Sequence, residues 1–155
     1  MVEPKARAYP AELEQIVGEL SRMGGEVEDM LADALRAIER SDHELANQIV
    51  SRDLRVDNLQ LDVEDRILRF LSGRSRKSVD LRLTVAAMKV AGDLERIGDI
   101  FYQMSKAIER KDEMKIYFLP EQRESIGEMF KLVDDAFAIM VENLNSDWAG
   151  VIIND

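Results

Sequence analysis

The sequence predicts an all-α fold, an antiparallel up-down bundle of long helices, and three observations support this prediction. The 155 residues include only 3 prolines and 8 glycines, so few positions interrupt regular structure. Apolar residues recur three and four positions apart over long segments, which is the period of amphipathic helices. No segment shows the alternating pattern of a half-buried strand. Helices of about 30 residues joined by short turns must run antiparallel, and they form a bundle about 45 Å long.

The apolar rows and the residues that interrupt them predict four helices. Pro10 and Pro120 mark the starts of the first and the fourth helix. Ser41 and Glu44 match an S-x-x-E capping box, which predicts the start of the second helix. A fifth element would begin within the final residues WAGVIIND. The predicted helices are, in chain order, Ala11 to Arg40, Ser41 to Leu71, Ser78 or Asp80 to Lys111, and Glu121 to Leu144.

The first two helices have one apolar row each, whereas the third has two. The rows of the first two helices are Leu13, Val17, Leu20, Val27, Leu31, Ala34 and Ile38, and Leu45, Ile49, Val56, Leu59, Val63, Ile67 and Phe70. The rows of the third are Leu83, Val90, Leu94, Ile97, Phe101 and Ile108, and Leu81, Val85, Met88 and Gly92. A helix that is apolar on two sides is expected to be covered on both. We therefore expect a second copy or another protein to cover the second row and the surface from Phe130 to Phe137, with self-association as the simpler arrangement.

The composition restricts the classes of partner and compartment. With 31 acidic and 21 basic residues the formal charge is −10, which disfavours contact with nucleic acid and with anionic lipid. The short basic segment from Arg74 to Lys77 is interpreted as a solvated turn between helices. Cysteine is absent, and no stretch has the length and apolarity of a membrane span or a signal peptide. We expect a cytoplasmic protein that meets a membrane only indirectly.

Two acidic pairs border the predicted core. Asp53 and Asp57 are four residues apart on the second helix, and Glu95 and Asp99 are four apart on the third, so each pair projects from one helix face. Because Asp57 lies about 16 residues before the intervening turn and Glu95 about 17 after it, the two pairs should face each other at one level. Oxygen ligands at this spacing suit iron, magnesium, manganese or calcium.

Two other interpretations of these carboxylates remain open at this point. They could instead form ion pairs on a solvated face with Arg52, Arg55 or Arg96, in which case the chain would be a scaffold kept soluble by its charge. Catalysis is the other alternative, because a metal-dependent hydrolase could use a carboxylate-bound metal and its water. The only histidine, His43, lies at a helix start, so the Glu-x-x-His motifs of di-iron enzymes are absent, as are phosphate loops and nucleophile motifs.

Two runs of the sequence between Arg52 and Asp99 are distinctive, RDLRVDNLQLDVEDRILRFL and VDLRLTVAAMKVAGDLERIGD, and the D-L-E-R-I-G-D run is their most specific part. Through these runs the segment resembles the PhoU family of phosphate-transport regulators. The resemblance implies two three-helix repeats, each with a (D/E)-x-x-x-D signature on two helices that holds iron or other metals in some members. Here the signature maps onto Asp53, Asp57, Glu95 and Asp99, so the resemblance implies a metal site, with zinc also among the candidates.

The resemblance also predicts domain organisation, partners and function. Residues 11–112 would form the first PhoU-like repeat, and residues 120–155 the start of a second, incomplete one. The implied function is negative regulation of phosphate uptake and phosphate signalling, without catalysis, through contact with a transporter ATPase and a sensor kinase. A homodimer is the expected assembly. The alternative within this class is the soluble regulatory domain of a sodium-phosphate cotransporter.

Overall fold

The all-α prediction is confirmed by the computed structural model, which describes residues 11–40, 42–72, 78–113 and 119–146 and forms four helices there. They are α1 (Ala11–Arg40), α2 (His43–Ser72), α3 (Ser78–Glu113) and α4 (Pro120–Ser146), each within about two residues of its predicted bounds. The predicted fifth element and the basic segment from Arg74 to Lys77 lie outside the described residues. Over the described ranges, none of the helices has both the length and the apolarity needed to cross a bilayer.

Helix α1 occupies the centre of the bundle. It contacts α2, α3 and α4, and α2 also packs against α3. Successive helices are antiparallel, since Arg66 near the end of α2 donates a hydrogen bond to Gln15 near the start of α1. At the other end of α1, the Arg123 side chain of α4 donates a hydrogen bond to the carbonyl oxygen of Glu39. The result is a three-helix bundle of α1, α2 and α3 with α4 packed on α1.

The predicted apolar rows form the hydrophobic core. Helix α1 has buried residues along its whole length, because neighbouring helices cover it on several sides. Most residues of the row predicted for α2 and of the first row predicted for α3 are buried as well. The members of these rows that are only partly buried are Val17, Leu45, Val90 and Ile97. The division of the chain into residues 11–112 and 120–155 stays a prediction.

The start of α2 differs from the capping-box prediction. The Asp42 carboxylate accepts hydrogen bonds from the backbone amides of Glu44 and Leu45, at 3.0 and 3.2 Å. Asp42 therefore serves as the N-cap, since it satisfies two amides that have no partner within the helix. Ser41, the residue predicted for this role, lies outside the described residues.

The described helices leave the second apolar row of α3 uncovered. Leu81, Val85 and Met88 are exposed, so the expectation that another molecule covers them stays a prediction.

The expectation that another molecule covers the surface from Phe130 to Phe137 was partly wrong. Phe130 and Phe137 are buried against the core of the same chain, because they lie on the side of α4 that packs on α1. Between them, Leu132 and Val133 are exposed.

Candidate functional site

Helices α2 and α3 bring the four predicted carboxylates together. Asp53 and Asp57 lie on the side of α2 that faces α3, and Glu95 and Asp99 lie on the facing side of α3. The side chains interact electrostatically across the helix contact, as the level of the two pairs along the bundle predicts. Three of the residues are half-buried and Asp99 is exposed, so the group is open to solvent on one side.

The proximity of the four groups makes ionisation costly. Burial raises the pKa of Asp53 to about 6, and the negative charges of Asp57, Asp99 and Glu95 add to the shift. Burial also raises the pKa of Glu95, helped by Asp99 and Asp57, while Arg96 lowers it. Both shifts show that this part of the surface favours proton or cation uptake.

Two of the arginines that could have neutralised these carboxylates contact a different helix. The Arg52 Nη1 atom lies 2.7 Å from Asp29 and 3.3 Å from Glu26, both on α1. Its Nε atom lies 3.3 Å from Asp33, and Arg55 Nε lies 3.1 Å from Glu26. The interpretation that Arg52 and Arg55 form ion pairs with the four carboxylates is therefore wrong, because both arginine side chains point to the α1 side of α2.

Arg96 is a weak neutralising group for the site. Its nearest ion-pair distance is 4.0 Å, to Asp93, and both side chains are largely exposed to solvent. An exposed pair at this distance contributes little, because water screens the attraction and both side chains lose conformational freedom. The four carboxylates thus keep most of their mutual repulsion.

The ion network between α1 and α2 was not predicted from the sequence. Arg52 joins its three acidic residues of α1, and the most buried of them is Asp33, whose side chain is only 6% exposed and lies 3.3 Å from both Arg36 and Arg52. A buried carboxylate of this kind is stable only when cations accompany it. The available signal was the run of acidic residues on one side of α1, at positions 26, 29 and 33, opposite the arginines of α2.

The side chains satisfy the chemical requirement for a metal site but not its geometry. The donors are carboxylate oxygens, which suit hard cations. Within the described ranges, however, no three or more side chains of histidine, cysteine, aspartate or glutamate are arranged to hold a metal ion. His43 is exposed at the first position of α2, about 15 Å along the helix from Asp53, so it cannot complete the site. The metal role of the four carboxylates stays a prediction.

A family comparison agrees with this arrangement of helices. The model of the PhoU domain matches residues 20–108, which is more than half of the chain and includes all four carboxylates. The chain belongs to the PhoU family. Its matched part begins within α1 and ends within α3, so the PhoU domain coincides with the three-helix bundle around the candidate site.

Curated PhoU relatives carry a common description. The PhoU homologue of Caulobacter vibrioides, named a phosphate-specific transport system accessory protein, is 40% identical over 106 residues, covering 68% of this chain and 46% of the relative. The PhoU proteins of Serratia marcescens and Escherichia coli are 34% and 32% identical over 136 residues, covering 85% of this chain and 56% of each relative. The chain thus spans about half the length of the curated relatives it matches. No solved structure shows a significant match to it.

Proposed function

We propose that this PhoU-family protein regulates phosphate uptake and phosphate signalling through protein–protein contact. The proposal is supported by the relatives named as accessory proteins of a phosphate-specific transport system. The partners we propose are the ATPase of a phosphate transporter and a sensor kinase. Such partners place the protein in the cytoplasm, where it meets the membrane only through the transporter.

The candidate site supports contact more than catalysis. Its four carboxylates lie on an outer face of the bundle, and Asp99 is exposed. A hydrolase would need to exclude water around its substrate, because electrostatic stabilisation of a transition state weakens in open solvent. An open acidic surface meets the requirements of a protein or cation contact, so we propose that the protein is not an enzyme.

We further propose that the carboxylates bind a metal ion, either iron or one of magnesium, manganese, zinc and calcium. The single observation that carries this proposal is that Asp53, Asp57, Glu95 and Asp99 lie together at a half-buried position, where burial first and then the neighbouring negative charges raise the pKa of Asp53 to about 6. A bound cation would relieve this repulsion. Because each pair lies on adjacent helical turns, changes of side-chain rotamer could bring the oxygens together without movement of the helices.

The metal proposal is tested with a charge-matched pair of variants. Asp57→Asn with Asp99→Asn removes one carboxylate from each helix of the site. Asp62→Asn with Asp93→Asn removes the same charge from exposed positions on the same helices. Metal affinity, measured by titration and by elemental analysis of protein purified without chelator, should fall about 10-fold or more in the first variant only. The thermal midpoint of the metal-free first variant should be unchanged or higher.

Two outcomes would contradict the metal proposal. Equal metal content in wild type and both variants would remove the four carboxylates from the site. Absence of bound metal from all three proteins would favour a solvated acidic face.

The regulatory proposal needs a separate test in cells. The chain is expressed in a bacterium that lacks its own PhoU protein and carries a reporter of phosphate-starvation genes. We expect the chain to lower reporter output at high phosphate and to co-purify with the transporter ATPase or the kinase of its own organism. Unchanged output together with no binding to either protein would exclude this function.

Self-association is a further contact that we propose. The outward side of α4 carries exposed apolar residues, among them Leu132 and Ile139, and a two-fold pairing of α4 would cover them. Sedimentation of wild type and of Leu132→Gln tests this. A strict monomer at high concentration would contradict the proposal.

A further inference from the structure

Helix α2 carries a row of exposed leucines that plays no part in the core. Leu54, Leu61 and Leu68 are 60%, 61% and 62% exposed, and they recur every seven residues. Residues seven apart lie about 20° from each other around a helix, so the three side chains form one stripe. The stripe extends over about 21 Å of the helix axis, or about four turns.

This stripe lies on the same side of the bundle as the exposed apolar row of α3. At about 100° per residue, Leu61 lies about 40° beyond Asp57 on α2, and Met88 lies about 20° beyond Glu95 on α3. Because the acidic pairs face each other across the α2–α3 contact, both apolar rows point outward on the side away from α1. Together with the four carboxylates they form one surface, here called the α2–α3 outer face.

The α2–α3 outer face has an apolar half and an acidic half. Leu61 lies about 11 residues before the end of α2, and Met88 about 10 after the start of α3, so these residues are level. Asp57 and Glu95 lie about 15 and 17 residues from the same ends, which is about one turn beyond Leu61 and about two turns beyond Met88. The apolar residues of this half are Leu61, Leu68, Leu81, Val85 and Met88. The half-buried Glu64 carboxylate also lies on this part of α2 and accepts a hydrogen bond from Gln60. The acidic half comprises the four carboxylates, beside Leu54.

We propose that the α2–α3 outer face docks an amphipathic helix of a partner protein, with apolar residues at one end of the helix and lysine or arginine at the other. Two antiparallel helices form a shallow groove that accepts a third helix, and exposed leucines in line give it apolar anchors. In the metal-free protein the four carboxylates lack a compensating charge and favour cations at the other end of the partner helix. An acidic or uniformly apolar helix would leave these charges buried and unpaired.

A second copy of the chain is a poorer occupant of this face. A two-fold axis through the acidic half would place eight carboxylates against each other. An axis through the apolar half would cover the leucines and leave both acidic halves uncovered. Only a partner with different properties at its two ends covers the whole face.

Gly92 supports a close approach on this surface. It lies between Met88 and Glu95 along α3, and a Cβ atom built at this position meets nothing within 4 Å. A glycine inside a helix weakens the helix, and none of the described elements fills the space beside Gly92. A partner backbone that packs closely against α3 at this point would use it.

Peptides in the presence of chelator provide the test, so the metal proposal does not enter the result. The probe is a labelled helix-forming peptide of about 18 residues, with a leucine row followed by lysines. Two matched peptides replace the lysines by glutamate or the leucines by glutamine. By fluorescence anisotropy the 155-residue chain should bind the first peptide about 10-fold or more tightly than either control.

Variants of exposed residues then locate the binding surface. Leu61→Gln with Met88→Gln alters the apolar half, and Asp57→Asn with Asp99→Asn alters the acidic half. Each pair should weaken binding about 10-fold, whereas Leu132→Gln, on the outward side of α4, should have no effect. Higher salt should weaken binding to the wild type and leave the residual binding of the Asp57→Asn, Asp99→Asn variant little changed.

Several results would overturn the inference. The first is equal affinity of the chain for the three peptides, and the second is equal peptide binding by all variants. The third is a Leu61→Gln, Met88→Gln variant that loses self-association but still binds the peptide. Binding to anionic vesicles that depends on Leu61 would identify a membrane surface instead. The inference rests on the proposed regulatory function for its biological partner, but a chain that regulates the reporter and binds none of the peptides contradicts the inference alone.

Discussion

Asp33 and Asp53 are carboxylates at helix contacts, and their neighbours give them opposite electrostatic settings. Asp33 lies between the guanidinium groups of Arg36 and Arg52, each at 3.3 Å. Asp53 faces three other carboxylates, which together with burial raise its pKa to about 6. The first cluster stabilises negative charge where α1 meets α2. The second concentrates negative charge where α2 meets α3, so the two sides of α2 have different roles.

The Asp53 carboxyl should lower the free energy of unfolding of the metal-free protein at neutral pH. A variant without this carboxyl should therefore be more stable than the wild type at neutral pH, and the difference should be smaller at pH 4.5. The pKa of Asp53 is about 6 in the folded protein and close to the ordinary aspartate value of 3.8 in the unfolded chain. The folded state thus binds the proton more tightly, and the penalty is fully present above pH 6 and is lost as the pH falls toward 4. With allowance for solvent screening of a half-exposed group, Asp53→Asn should raise the free energy of unfolding at pH 7.5 by about 1 kcal/mol.

Urea unfolding with chelator at both pH values checks this expectation. The difference between Asp53→Asn and wild type is the quantity of interest, since other titrating groups are shared by the two proteins. It should shrink toward zero at pH 4.5, and Asp62→Asn, on an exposed part of α2, should show a smaller dependence. A difference of equal size at both pH values would mean that Asp53 does not titrate near 6.

At the scale of helices, the start of α2 shows a feature that local sequence patterns do not predict, namely which residue caps the helix. Ser41 and Asp42 are both good N-cap residues, and their order alone does not say which of them adopts the capping conformation. The structure gives Asp42 this role through its bonds to the amides of Glu44 and Leu45. Which of the two residues caps α2 depends on how α1 and α2 pack against each other, and local sequence does not determine this packing.

Replacing Asp42 by alanine should destabilise the protein by about 1 kcal/mol, because two amides at the start of α2 lose their acceptor. Asp42→Asn should retain most of the stability, since its amide oxygen can accept the same bonds. Thermal denaturation of both variants, with Ser41→Ala as a third, measures the effect. If Ser41→Ala costs more than Asp42→Ala, the capping box predicted from the sequence is the correct description.

The helices and the meeting of the acidic pairs could be predicted from the sequence because both follow from helix geometry. A persistent apolar period fixes each helix, and counting residues from the turn brings Asp57 level with Glu95. The direction of Arg52 and Arg55 could not be predicted in this way. These arginines and the acidic pair flank the same apolar stripe, and the handedness of the three-helix arrangement decides which flank meets α1. Periodicity likewise identifies the second apolar row of α3 without saying which molecule covers it.

The whole molecule combines a well-covered three-helix bundle with a fourth helix that is attached on one side. Helix α1 lies among α2, α3 and α4, whereas α4 packs on α1 and reaches α3 through a tilted ring contact between Phe130 and Phe101, with centroids 6.5 Å apart. The outward side of α4 is open, and Leu132 there is 71% exposed. The described part of α4 therefore obtains most of its tertiary stabilisation from one stripe of contacts.

This arrangement predicts that α4 opens without the rest of the bundle. Phe130→Ala should remove up to about 3 kcal/mol of packing from α4, because the phenylalanine side chain is buried against Phe101 and the core. Hydrogen exchange followed by mass spectrometry should then show faster exchange throughout α4 and little change in α1, α2 and α3. Leu132→Ala, on the exposed side of the same helix, should leave exchange almost unaltered. Equal loss of protection in all four helices would instead show that α4 and the bundle unfold as one cooperative unit.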